Sequence, residues 1–177
     1  MTNIPHVSQI LAPYSKYDKV PQARMEEASY RGTLVHATCL SKAQDLWFSP
    51  LPEAYQGYFD SFEWWFSAYV EKVHLVETTL YDYDLGFQGT PDLIVTMNDD
   101  VLSLIDLKTP LTKQRTWCGQ LASYKHLAIK NGYPIERCGS LQLKPDGKPA
   151  TLEPYMESAD DFSAFCAALI AYRYFIL

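Results

Sequence analysis

The chain of 177 residues is 47% hydrophobic and 14% aromatic, which excludes an intrinsically disordered protein and suffices for one domain with a substantial core. Its four cysteines are widely scattered and include no Cys-x-x-Cys pair, so neither a zinc ribbon nor a disulfide framework is indicated. The net charge of −6 is unfavourable for binding nucleic acid, but residues 111–150 carry seven basic residues against two acidic ones. This basic stretch is either a DNA-binding surface or a solvated charged face.

The first 72 residues are predicted to be helical. Pro21 suits the first turn of a helix that runs toward Tyr30, and a second helix is predicted after Gly32, over about 33–48. Residues 53–72 have aromatic side chains at three- and four-residue steps, which predicts a long amphipathic helix. We expect these aromatic side chains in the core. Trp64 lies off the aromatic stripe and is the better candidate for stacking on a nucleic-acid base.

From residue 73 onward, strands and helices alternate. Strands are predicted over residues 73–83 and 101–109, and on both sides of Asp146-Gly147. A further strand is predicted to begin around residues 87–92. Helices are predicted over 116–130, ended by Asn131-Gly132, and after the capping box Ser158-x-x-Asp161. The order αα-βββ-α-ββ-α predicts one α/β domain over residues 1–177 with a mixed central sheet flanked by helices. Residues 1–72 would form its helical part and 73–177 its sheet-containing core.

Two carboxylates and a lysine fall on what is predicted to be one hairpin. A reflection about Asp99, in a polar turn, places Asp92 directly opposite Asp106. Such residues have Cβ atoms roughly 4.5–5.5 Å apart on one face, where two like charges are destabilising. A hard divalent cation such as Mg²⁺, bound between the carboxylates, usually offsets this repulsion. The period-2 alternation of a strand puts Lys108 on the same face as Asp106. Metal, polarised phosphate and ammonium are the parts needed to hydrolyse a phosphodiester.

The alternative is that the Asp-x-Lys pattern marks a solvated strand edge without a function. The runs at 93–95 and 101–105 are continuously apolar, however, as expected of strands covered on both faces. Charges at the ends of such strands are costly to place. We therefore interpret Asp92, Asp106 and Lys108 as a functional site.

Five motifs follow one another along residues 31–124. They are Arg31-Gly32-Thr33-Leu34-Val35-His36, Glu77, Gly89-Thr90-Pro91-Asp92, Ile105-Asp106-Leu107-Lys108-Thr109 and Gln120-x-x-x-Tyr124. In this order and spacing they resemble the PD-(D/E)XK (restriction-endonuclease-like) nucleases, within them the RecB-like exonuclease branch that includes the mitochondrial genome maintenance exonuclease and the CRISPR adaptation exonucleases. The opening segment 7–11 is also similar to the start of small phage members. The resemblance implies a metal-dependent DNA exonuclease with this fold.

The resemblance also implies a metal site. Asp92 and Asp106 would be the primary ligands of Mg²⁺ or Mn²⁺, with the Leu107 carbonyl as a further oxygen ligand. His36 would be a ligand as well, and Glu77 the upstream acid that supports metal binding or a second ion. Some RecB-like relatives carry an iron–sulfur cluster, but their close-spaced C-terminal cysteine group is missing here, so no such cluster is expected.

The remaining roles concern the water and the DNA. Lys108 would orient or help to deprotonate the attacking water and stabilise developing charge. Gln120 and Tyr124, four residues apart on one helix face, would hydrogen-bond phosphate oxygens. Further expected DNA contacts are Thr109, Lys113, Arg115 and Arg31.

We expect the partner to be DNA with linear ends, single- or double-stranded, in phage or bacterial recombination, repair or processing. A recombinase, a single-strand-binding protein or a helicase is a further expected partner, since the chain has no phosphate-binding loop of an ATP motor. A structure-selective endonuclease on the same fold and a non-catalytic module that binds DNA ends or a partner stay open. The opening residues lack signal-peptide features and the stretch Phe162 to Tyr172 is too short to span a bilayer, so we expect a soluble cytoplasmic protein without membrane binding.

Overall fold

The computed structural model describes residues 4–15, 21–110 and 112–176. The helices are α1 (Val7–Leu11), α2 (Gln22–Ala43), α3 (Glu53–Tyr69), α4 (Thr116–Lys130) and α5 (Ala159–Phe175). The strands are β1 (Val70–Val76), β2 (Leu80–Asp82), β3 (Phe87–Gly89), β4 (Leu93–Met97), β5 (Leu102–Lys108), β6 (Arg137–Gln142) and β7 (Thr151–Pro154). None of the helices in the described ranges has the length and apolar character needed to cross a membrane.

Five strands form one mixed sheet in the order β1-β4-β5-β6-β7. Strands β5 and β6 are parallel and α4 connects them, whereas the other three pairs are antiparallel. The short strands β2 and β3 form a separate antiparallel hairpin. The predicted α/β architecture with a mixed sheet flanked by helices is confirmed at this level.

Helices cover both faces of the sheet because its central strands are apolar on both sides. Ile94 and Leu104 point into a core shared with α1, α4, α5 and the β2–β3 hairpin. Their neighbours Leu93 and Ile105 point into a second core shared with α2 and α3. This double coverage accounts for the continuous apolar runs that the sequence shows in β4 and β5.

The N-terminal boundaries differ from those predicted. A single helix, α2, replaces the two predicted helices, with Pro21 as its N-cap residue and Gly32 in its interior. One glycine costs a helix only about 1 kcal/mol, and burial of Val35, Cys39 and Leu40 outweighs that cost. The predicted helix over 53–72 ends at Tyr69, where β1 begins. Helix α1, within the segment 7–11, was not predicted as a helix.

The predicted strands over 73–83 and 87–92 are each interrupted. Glu77 has a left-handed backbone (φ 42°) and separates β1 from β2, and residues 90–92 separate β3 from β4. By contrast, α4 has the predicted bounds, and the turn before β3 contains Gly86 at φ 66°. Ser158 caps α5 as predicted, accepting a hydrogen bond from the Asp160 amide.

Candidate active site

The register of the β4–β5 hairpin places two carboxylates opposite each other. Leu93 pairs with Ile105 and Thr96 with Leu102, which is the predicted reflection about residue 99. When this register is continued by one residue, Asp92 lies directly opposite Asp106. The Leu107 amide donates a hydrogen bond to Asp92 Oδ2 at 2.6 Å, so the Asp92 side chain turns across the hairpin toward β5.

Lys108 stands beside Asp106 on the same face of β5. The distance from Lys108 Nζ to Asp106 Oδ2 is 2.5 Å, and Asp106 is only 3% exposed. The ammonium of Lys108 is therefore the charged partner of this buried carboxylate. Because a carboxylate offers about four lone-pair sites, Asp106 retains coordinating capacity beside the ammonium.

His36 and Glu77 approach the carboxylates from two other elements. His36 Nδ1, on α2, lies 3.6 Å from Asp92 Oδ1. Glu77 follows β1, and its amide donates to the Asp92 carbonyl oxygen at 2.9 Å. The strained backbone of Glu77 turns the chain out of the sheet at this point, and its side chain is exposed. His36 therefore approaches Asp92 with its side chain, whereas the contact of Glu77 with Asp92 is made by the main chain.

An open cavity of about 460 Å³ lies beside the two carboxylates at the end of the sheet, between α2 and α4, and neither Asp92 nor Asp106 lines it. Its lining includes His36, Glu77, Leu107, Lys108, Thr109 and Trp117. Gly32 lies against Thr109 across the cavity, with its Cβ position 3.9 Å from the threonine hydroxyl oxygen. The cavity is open enough for an extended substrate to enter from solvent.

A chain of hydrogen bonds connects Lys108 to α4. Lys108 Nζ donates to Gln120 Oε1 at 3.0 Å, and Gln120 Nε2 donates to the Tyr124 hydroxyl at 3.2 Å. Tyr124 is 3% exposed, and burial together with the charge of Asp106 raises its pKa. In this arrangement Gln120 orients the ammonium group, and Tyr124 orients Gln120.

The two carboxyl groups differ in proton affinity. Burial raises the pKa of Asp106, and the charge of Asp92 adds to that effect, so the pKa of Asp106 is raised despite the ammonium of Lys108. Burial acts on Asp92 too, but the charge of His36 and the Leu107 amide outweigh it and lower the pKa of Asp92. His36 responds to the two carboxylates with a raised pKa, although burial opposes this. A cation between the carboxylates would favour the ionised form of both.

The predicted DNA-binding residues are divided between the site and other surfaces. Thr109 is buried at the cavity wall, and Lys113 is 63% exposed in a neighbouring groove, where it pairs with Glu153 at 3.0 Å. Arg115 borders a separate cavity between α4 and α5. Arg31 pairs with Glu27 at 3.1 Å and does not border the site cavity.

Most of the basic stretch is neutralised within the described part of the chain. Five of its seven cations form ion pairs with carboxylates: Lys113, Lys125, Lys130, Arg137 and Lys148. Their partners lie in β2 and the turn after it, in the β4–β5 turn, in the β6–β7 connection, in β7 and just before α5. This distribution favours the solvated charged face over a continuous basic groove.

Trp117 is a site residue that the sequence reasoning missed. Lys108 Nζ lies 5.2 Å from the centre of its ring, a cation–π contact. The helical spacing could have identified it: Trp117 precedes Gln120 by three residues and Tyr124 by seven, so the three side chains share one helix face. Trp64, the predicted stacking residue, instead contacts Tyr69 and lies outside the cavity.

No group of three or more His, Cys, Asp or Glu side chains in the described residues is arranged as a ready metal-ligand cluster. The donor chemistry nevertheless fits a hard divalent cation, since two opposed carboxylates lie beside an imidazole and Asp106 Oδ2 is an accessible ligand once its ammonium partner moves. Lys108 occupies the position next to that oxygen.

No protein-family model and no curated protein sequence matches this chain.

Proposed function

We propose that this protein is a metal-dependent deoxyribonuclease of the exonuclease type, built on the PD-(D/E)XK fold. The observation that carries the proposal is the opposition of Asp92 and Asp106 beside a solvent-accessible cavity lined by His36 and Lys108, with the Lys108 ammonium on Asp106. Two opposed buried carboxylates, one of them in contact with a lysine, are costly to maintain, and a phosphodiester-cleaving site uses all three.

A Mg²⁺ or Mn²⁺ ion would be held by Asp92, Asp106, His36 and the carbonyl of Leu107, with Glu77 supporting it or a second ion. Bound there, the ion would neutralise the two carboxylates and polarise a phosphate oxygen. The opposition of the two carboxylates and the position of His36 Nδ1, 3.6 Å from Asp92 Oδ1, support this assignment. Lys108 has to move away from Asp106 Oδ2 for that oxygen to become a ligand.

Lys108 orients the attacking water and stabilises the negative charge that develops on the phosphate oxygens. Gln120 keeps the ammonium pointed into the cavity, and Trp117 holds it from a second side. The water oxygen bonds to phosphorus as the bond to the 3′ oxygen breaks. The water loses a proton to solvent and the leaving oxygen gains one, so the products carry 5′-phosphate and 3′-hydroxyl.

The proposed substrate is DNA with a free end, and the proposed setting is phage or bacterial DNA recombination, repair or processing in the cytoplasm. A recombinase, a single-strand-binding protein or a helicase would deliver the ends. The neutralised basic stretch indicates that backbone charge alone does not hold the DNA, so contacts inside the cavity contribute much of the binding.

The test is digestion of matched linear and covalently closed circular DNA, single- and double-stranded, in Mg²⁺, Mn²⁺ or EDTA. We expect degradation of linear DNA only, abolished by EDTA, by Asp106→Ala and by Lys108→Ala. Lys148→Ala is the matched control, since Lys148 also forms a lysine–aspartate pair but is 74% exposed.

Cleavage of circles would assign an endonuclease on the same fold. Binding of DNA ends without cleavage under every condition would assign a non-catalytic end-binding or partner-interaction module, in which Lys108 simply neutralises Asp106.

A further inference from the structure

A groove of about 280 Å³ adjoins the candidate active site on the other side of Trp117. Trp117 borders both the site cavity and this groove, so its indole ring forms the partition between them. Other groove residues are Lys113, Gln114, Gln142, Glu153 and Met156. None of them is needed for the hydrolysis described above.

The register of the sheet explains why the groove lies so close to the site. Ser140 and Gln142 of β6 are the parallel partners of Asp106 and Lys108, and both border the groove. Side chains at partnered positions emerge on the same face of a sheet, one strand spacing or roughly 4.8 Å apart. A group held in the groove is therefore next to a phosphate held at Lys108.

The chemistry of the groove matches a nucleobase. The Trp117 indole offers an aromatic surface, and Met156, at 81% exposure, offers a mobile thioether for contact with a ring. The Gln114 amide is able to donate to and accept from a base edge, whereas Gln142 offers only its Oε1 as an acceptor, because its Nε2 donates to the carbonyl oxygens of Lys108 and Pro110. The Lys113–Glu153 pair is exposed at 63% and 43%, so Lys113 can exchange its partner for a backbone phosphate.

We propose that this groove is a nucleobase subsite, in which the base next to the cleaved phosphate stacks on Trp117. The proposal rests on the function proposed above and names its substrate class, because a base that is paired and stacked in a duplex cannot enter the groove. The substrate is then an unpaired nucleic-acid end, either single-stranded or frayed from a duplex.

The test measures binding without cleavage, by fluorescence anisotropy of a labelled single-stranded oligonucleotide and of the matching blunt duplex, in EDTA and in Ca²⁺. Trp117→Ala should weaken single-strand binding by roughly five- to 100-fold, as expected for the loss of one stacked base. Trp117→Phe should restore most of the affinity, and duplex binding should change less than twofold. The matched control Trp64→Ala, which removes a 51% exposed tryptophan on α3, should leave both affinities unchanged.

Oligonucleotides with one abasic position, moved along the end, complete the experiment. At one position the missing base should lower the affinity of the wild type but not that of Trp117→Ala. Three results would overturn the subsite. One is that, at every abasic position, the losses of affinity from the missing base and from Trp117→Ala add up; another is that Trp117→Ala weakens duplex binding as much as single-strand binding. The third is that the wild type binds no single strand in either buffer. If Trp117→Ala does not fold, the same comparison is made with Trp117→Leu and Trp117→Phe.

The two proposals fail in distinguishable ways. If DNA is cleaved but the abasic losses are additive, the nuclease stands and the subsite is wrong. If no DNA is cleaved but one abasic position depends on Trp117, the subsite stands in a protein that binds nucleic-acid ends without cutting them.

Discussion

Gly89 packs directly against the ring of Tyr124. A Cβ atom on Gly89 would lie 2.8 Å from both the Tyr124 ring and the Leu127 side chain, closer than packed carbon atoms tolerate. The glycine that begins the Gly-Thr-Pro-Asp motif thus lets α4 approach β3. That approach brings Gln120 within reach of Lys108.

Gly89→Ala should push Tyr124 away and misplace Gln120. We expect a loss of stability of about 1–3 kcal/mol from overpacking, with a disproportionate loss of nuclease activity. Thermal unfolding and initial cleavage rates measure the two effects. Gly119→Ala is the control, since its Cβ would meet Leu11 at an ordinary 3.7 Å, and it should be neutral or stabilise α4 by up to about 1 kcal/mol. An equal response of both variants would contradict the packing argument.

Lys108→Arg should fail to replace Lys108. The ammonium is enclosed by Asp106, Gln120 and Trp117, and a planar guanidinium does not fit those contacts. We expect a fall in the cleavage rate of roughly 10²- to 10⁴-fold for both Lys108→Arg and Lys108→Ala. Lys148→Arg serves as the control on initial rates. Activity of Lys108→Arg within tenfold of wild type would show that charge alone suffices.

Gln120→Ala should lower kcat with little change in KM if Gln120 orients the ammonium and does not bind DNA. Roughly a tenfold loss is expected, since one hydrogen bond to a charged group is removed. Tyr124→Phe, which removes only the hydroxyl that accepts from Gln120, should produce a smaller effect of the same kind. A rise in KM at constant kcat would instead support direct phosphate binding by this pair.

Mg²⁺ should stabilise the folded protein by binding between the carboxylates. A ligand at 100 times its Kd adds about 2.7 kcal/mol, which corresponds to a rise in Tm of roughly 5–10 °C for a chain of this size. Differential scanning fluorimetry with and without EDTA gives the shift. Asp106→Asn should abolish it, whereas Asp84→Asn, on the exposed β2–β3 turn, should retain it. A shift of the same size in both variants would place the ion elsewhere.

Asp82 should make stability depend on pH in the acid range. Burial of this carboxyl raises its pKa, but hydrogen bonds from Lys130, the Leu85 amide and His126 outweigh burial and lower the pKa of Asp82 to about 2. A lowered pKa means that the stabilisation is complete above the unfolded value near 3.8 and is lost as pH falls toward 2.

Asp82→Asn should therefore cost about 2–3 kcal/mol at pH 5, and the difference from wild type should shrink between pH 4 and pH 2. Urea unfolding at pH 5, 3 and 2 measures it. Asp146→Asn is the control, because Asp146 pairs with Lys148 at the surface and should cost little. A difference that stays constant down to pH 2 would exclude ionisation of Asp82 as its source.

Local contacts explain what sequence reasoning predicted correctly. Asp92 and Asp106 are opposed because the length of one tight turn sets the register of an antiparallel hairpin. Helix α4 has the predicted bounds because Asn131 and Gly132 end it through their own backbone preferences. Both features depend on residues close together in the chain.

The interrupted strands and the continuous helix depended on contacts between distant segments. Thr90 bonds both to Thr79 and to the His6 imidazole, 84 residues earlier, at 3.0 Å each, which helps to hold residues 90–92 as a link between β3 and β4. Helix α2 continues through Gly32 because its buried face meets α3 and the sheet. Local propensity is weak beside such burial.

By itself, the sequence determined the α/β class, the hairpin with its two aspartates and the lysine beside them, since these follow from alternation and turn length. Only the tertiary structure decided that Trp117 and Gln120 hold Lys108, that Gln142 lies next to Lys108, and that Arg115 faces a different cavity. The physical reason is that the parallel pairing of β5 with β6 and the packing of α4 bring together segments that are distant in the sequence, and no local pattern predicts such contacts. The burial of apolar area over the whole fold selects that arrangement.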